Sequence, residues 1–92
     1  MTLKTRNIER SLLKKGFIKE YGDHKYFVFT YNGEIKRIRT KISHSDSEIS
    51  DYLIALMSRQ LHMTKDFFAG FVECTKSESD YIKILQDIGM ID

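Results

Sequence analysis

Apolar residues change their period repeatedly along this chain, and each change marks an element. Ile8, Leu12 and Leu13 recur at helical spacing between charged residues, which predicts a helix over about residues 5–15 with Thr5 as N-cap. Gly16 ends it, because glycine tolerates the left-handed conformation at a helix C-terminus. Residues 17–21 read as a short strand, and Gly22-Asp23 turns the chain. Residues 25–31, dense in aromatic and β-branched side chains, form the strongest strand. Asn32-Gly33 suits a tight hairpin, whose two central positions take positive φ, and residues 35–42 return antiparallel. Ser45-Asp46-Ser47-Glu48 fits a capping box ahead of an amphipathic helix over about residues 46–62, carrying Ile49, Tyr52, Leu53, Leu56, Met57 and Leu61. Thr64 caps a third helix with Phe67, Phe68, Phe71 and Val72. Ser77 caps a fourth with Tyr81, Ile84, Leu85 and Ile88, stopped by Gly89.

The period of two in the last strand adds orientation. Ile38, Thr40 and Ile42 point one way, and Arg37, Arg39 and Lys41 the other. In the preceding strand Phe27 and Phe29 make the bulkier face, so that face is expected in the core and His24 has the parity of the exposed one. Only one sheet face is apolar, so both main helices are expected on it, leaving a basic stripe uncovered. The fold class is α+β: a double-stranded-RNA-binding-like α-β-β-β-α unit with a three-stranded antiparallel sheet, helices on one face, plus two short C-terminal helices.

Ninety-two residues make a single domain, residues 1–92, since a second core would be too small to hold together. No apolar run is long enough to span a bilayer and the N-terminus lacks a signal-peptide core, so a cytoplasmic protein without membrane contact is expected. The single cysteine, Cys74, offers neither an internal disulfide nor a cysteine-based zinc site, and reads as a small buried residue near a helix end. The net charge of +2 hides an asymmetry: residues 1–41 carry eleven Lys and Arg against four Asp and Glu, and residues 42–92 carry four against nine. A basic first half suits an anionic partner such as RNA, though charge runs also serve as plain solvated faces.

Several segments, in order, resemble the HicA family of toxins. Ile8-Glu9-Arg10-Ser11-Leu12-Leu13-Lys14-Lys15-Gly16-Phe17 is similar to that family's first helix with its Leu-x-x-x-Gly-Phe ending. Gly22-Asp23-His24-Lys25-Tyr26-Phe27 resembles its Gly-Ser-His segment and aromatic strand, with Asp23 in place of the serine. Arg39-Thr40-Lys41-Ile42-Ser43-His44 sits where the family has a strand ending in a Val-Pro-x-His-like segment, here without the proline. The resemblance covers roughly residues 6–63; in domain terms, residues 5–63 are the HicA-like core and residues 64–92 a helical extension. It implies an mRNA-cleaving endoribonuclease of a toxin-antitoxin pair, restrained by a HicB-like antitoxin, with His24 as the catalytic histidine.

Such chemistry uses the substrate's own 2′-hydroxyl as nucleophile, so no metal or cofactor is expected. The protein supplies proton transfer, which histidine suits near neutral pH, and charge stabilisation. Lys25, Arg37, Arg39, Lys41 and His44 are the candidate RNA-binding residues. Plainer roles stand beside these. His24 also reads as a turn histidine at a strand entrance, His44 as a residue leading into a helix, and His62 as a cation at a helix C-terminus. Two further functions stay open: a non-catalytic RNA-binding or regulatory domain of the same fold, and an interaction module that pairs its open face with a protein.

Overall fold

A computed structural model describes all 92 residues. Short strand β1 (Leu3–Lys4) leads into helix α1 (Thr5–Lys14). Strands β2 (Phe17–Tyr21), β3 (Lys25–Tyr31) and β4 (Glu34–Ile42) follow, then β5 (Glu48–Ile49). Helices α2 (Asp51–Gln60), α3 (Lys65–Val72) and α4 (Glu78–Asp87) complete the chain. The main sheet is antiparallel in the order β2-β3-β4, and β1 pairs antiparallel with β5 in a separate two-stranded ladder. No helix is long and apolar enough to cross a membrane.

The hairpin turn forms as its residues dictate, with Asn32 at φ 52° and Gly33 at φ 79°. Gly16 takes φ 99° after α1, where a Cβ would meet the Phe29 ring at 2.8 Å and the Glu78 carboxylate at 2.9 Å. Backbone freedom and close approach both demand glycine there. Thr64 and Ser77 cap α3 and α4 as expected, and Ser77 with Asp80 completes a capping box.

Two starts differ from expectation. Thr5 is the first helical residue of α1 rather than its cap; Lys4 stands at the cap position and offers no side-chain hydrogen bond. Ser45 does not open α2. The chain instead runs through β5 before Ser50 caps the helix by accepting from Leu53 N–H. Glu48 and Ile49 were free to extend because β1 supplies a partner, with Leu3 opposite Ile49 and Lys4 opposite Glu48. A two-residue pairing between chain segments so far apart leaves no periodic signal.

Sheet parity follows the alternation of side chains. Phe27, Phe29, Ile38 and Ile42 are buried together with Ile8 and Leu12 of α1 and Ile54 and Met57 of α2, which puts both helices on that face. The last two helices are built into the same core. With Ile91 beyond them, they supply six of its 18 buried residues: Phe68, Phe71, Val72, Tyr81, Leu85 and Ile91. The Tyr81 ring packs against Phe17, Phe29 and Phe71 at centroid distances of 6.0, 5.1 and 5.4 Å, and its hydroxyl donates to the Leu61 carbonyl at 2.7 Å. Lys15 reaches across to donate to the Lys76 carbonyl at 2.8 Å, and Ser11 to that of Val72 at 2.7 Å. Residues 64–92 therefore close the core instead of trailing from it. Cys74 corrects an expectation: it is exposed, in the left-handed region at φ 67° just past α3.

Candidate functional site

Strand register builds the open face of the sheet residue by residue. Ile18 lies opposite Val28, Val28 opposite Arg39, and Tyr26 opposite Lys41. Arg37, Arg39 and Lys41 are all exposed on this side. None of the three forms an ion pair within the protein, so their charge is available to a partner. The Arg39 guanidinium lies 5.4 Å from the centre of the Tyr26 ring, a cation–π contact that holds it along the face. Val28 is only 5% exposed although it has outward parity, and it shares a surface pocket with the longer side chains of Glu20, Arg37 and Arg39. Glu20, opposite Tyr26, and Ile35, 63% exposed, add one anion and one apolar group to the same face.

A groove runs along β4 from this stripe. Arg37, Arg39, Thr40, Lys41 and Gln60 line its first part. Lys41 and Gln60 also line the second part, a notch of about 140 Å³ with apolar walls from Ile42, Ile49, Leu53, Leu56 and Met57 and with His24, Ser43 and Asp46 as its further polar groups. His24 is thus brought to the end of the basic stripe by the turn between β2 and β3. Its side chain is 36% exposed. Nδ1 is the buried side of the ring and makes no hydrogen bond. Asp23 Oδ2 lies 3.4 Å from it, near enough to attract an imidazolium but not aligned for a hydrogen bond.

Asp23 is itself held in place, accepting a hydrogen bond from the Tyr26 hydroxyl at 2.6 Å. That bond, and secondarily His24, keeps its carboxyl below the usual range, while the same bond raises the Tyr26 phenol. His44 Nε2 pairs with the Gly22 carbonyl at 3.0 Å, and its ring stacks 6.4 Å from that of Tyr21. Gly22 N–H in turn donates to the His24 carbonyl. His44 therefore braces the turn that presents His24.

Of the residues singled out in the sequence, Arg37, Arg39 and Lys41 come together in one pocket, and Lys41 and His24 in the adjoining one. Lys25 does not. It points to the helix side, 14% exposed, and is ion-paired with Glu9, as is Lys19 at 2.9 Å. The chain puts it one residue from His24, and strand alternation turns it to the opposite face. His44 reaches the turn with one ring nitrogen already engaged. Gln60 and the notch are not legible in the sequence, because each depends on packing that periodicity does not disclose. In comparisons with known proteins, the chain matches no family model, no curated protein and no solved structure.

Proposed function

We propose that the protein is a metal-independent endoribonuclease resembling the HicA toxins, cleaving single-stranded mRNA laid along β4. The observation that supports this most is that Lys41 lines one pocket with Arg37 and Arg39 and the adjoining pocket with His24. In the proposed step the RNA 2′-hydroxyl attacks the adjacent phosphorus and the P–O5′ bond breaks. His24 transfers one proton, either from the attacking hydroxyl or to the leaving oxygen, and water exchanges the other. The cations offset charge growing on the phosphoryl oxygens. The proposal extends to restraint by a HicB-like antitoxin protein.

His24→Ala tests it. The variant should lose RNA cleavage and growth inhibition, retain RNA binding in a gel shift, and melt within a few degrees of wild type. Cleavage by wild type should persist in chelator. An equally active His24→Ala protein would overturn the proposal. One observation favours a second reading, a non-catalytic RNA-binding domain of the same fold: of the three imidazoles only His24 lines the groove, and His44 is engaged at Gly22. Salt-sensitive RNA binding with no cleavage under any condition would select it.

A further inference from the structure

The notch at the end of the basic groove differs in chemistry from the groove itself. Phosphates suit the cations of β4, but the notch offers an anion apolar walls from Ile42, Ile49, Leu53, Leu56 and Met57 and the like charge of the Asp46 carboxylate. Leu53 and Leu56 remain 37% and 36% exposed, so an occupant would remove apolar surface from water. The notch is also held open by structure on two sides. Ile49 is fixed by the β1–β5 ladder, and Met57 is buried in the core. At the junction of groove and notch stands Gln60. Thr40 donates to its Oε1 at 2.7 Å, which fixes the amide plane and leaves its NH₂ group without a partner inside the protein.

A ligand that fits both parts must be anionic along its length and carry a flat, largely apolar unit with hydrogen-bonding edges. Single-stranded RNA has that chemistry, and its unstacked bases can be splayed out and hydrogen-bonded at their edges. A protein partner's apolar side chain would fill the notch as well, but the line of three unpaired cations leading to it favours a polyanion. We propose that the notch seats one unstacked base of the RNA, with the Gln60 amide donating to a base carbonyl, so that it selects the nucleotide held beside His24. This rests on the RNA-cleaving reading above, and Leu53, Leu56 and Gln60 are its specificity-determining residues.

The test is binding of full-length protein, by fluorescence anisotropy, to a uridine 12-mer and to an abasic ribose-phosphate strand of equal length. Wild type should bind the base-bearing strand about tenfold more tightly, the scale of one well-seated base. Leu56→Ser and Leu53→Ser, both at partly exposed positions, should bring the two affinities together, with melting temperatures showing that each variant is folded. Arg39→Ala should weaken binding to both strands and preserve the ratio. Equal wild-type affinities, or a ratio that both serine variants leave intact, would overturn the notch assignment while leaving the basic face as an RNA surface. Wild type that binds neither strand would overturn both. An unchanged RNA ratio with loss of binding to a protein partner in the serine variants would assign the notch to that protein instead.

Discussion

Two groups of charged residues on this small protein behave differently because of which way they point. Arg37, Arg39 and Lys41 are unpaired on the open face, and their role is expected to be electrostatic. Each phosphate contact on single-stranded nucleic acid contributes about −0.7 to the slope of log K against log salt, so three give about −2. Arg39→Ala should flatten that slope by about 0.7 in an anisotropy titration across salt concentrations. A slope unchanged by the substitution would remove Arg39 from the interface. Glu9, Lys19 and Lys25 are tied together on the helix side. Burial pushes the Glu9 carboxyl up, but hydrogen bonds from Lys25 and Lys19 outweigh it and hold the group below its ordinary value. A carboxyl depressed in the folded state stabilises the fold above its unfolded pKa and stops doing so as pH falls through the folded value. Glu9→Gln should therefore cost about 1–2 kcal/mol at pH 7. Melting curves of variant and wild type should converge as pH is taken below the carboxylate range. A gap that persists in acid would mean the loss is one of packing.

At the level of elements, the two helix ends that lack glycine store strain. His62 follows α2 at φ 61° and Cys74 follows α3 at φ 67°, both in the region where a Cβ is costly. His62→Gly and Cys74→Gly are each expected to stabilise by about 0.5–1 kcal/mol in denaturant unfolding. Destabilisation would show that the side chain contributes more than its backbone costs. These two positions also mark what the residues could and could not disclose. The ends at Gly16 and Gly89 are legible because glycine advertises positive φ, whereas histidine and cysteine in the same conformation do not. The strands from Phe17 to Tyr21 and from Lys25 to Tyr31 are legible from composition and bounding turns. Burial of Ile38, Thr40 and Ile42 on one face of β4, against exposed Arg37, Arg39 and Lys41 on the other, is legible from parity alone. The start of α2 is not, because a plausible box at Ser45 competes with pairing to Leu3 and Lys4, and tertiary contact decides. The His24 end of the site is half legible: parity turns it outward, but the notch beneath it requires α2 to be in place.

For the whole molecule, residues 64–92 set the limit of stability. Without them Phe17, Phe29 and Leu61 lose Phe68, Phe71, Tyr81 and Leu85, all of which have no exposed surface. The backbone carbonyl of Leu61 also loses its partner in the Tyr81 hydroxyl. A chain ending at residue 63 should show a weakened, non-cooperative thermal transition by circular dichroism. A cooperative melt near that of the full chain would show that residues 64–92 are dispensable for folding. Placement of these helices on the core side has another effect. All four helices crowd one side of the three-stranded sheet, so the side bearing Arg37, Arg39 and Lys41 carries little of the folding energy. Sequence drift there is thermodynamically cheap: recognition could be retuned toward a different target, or lost altogether, in a chain that still folds as before.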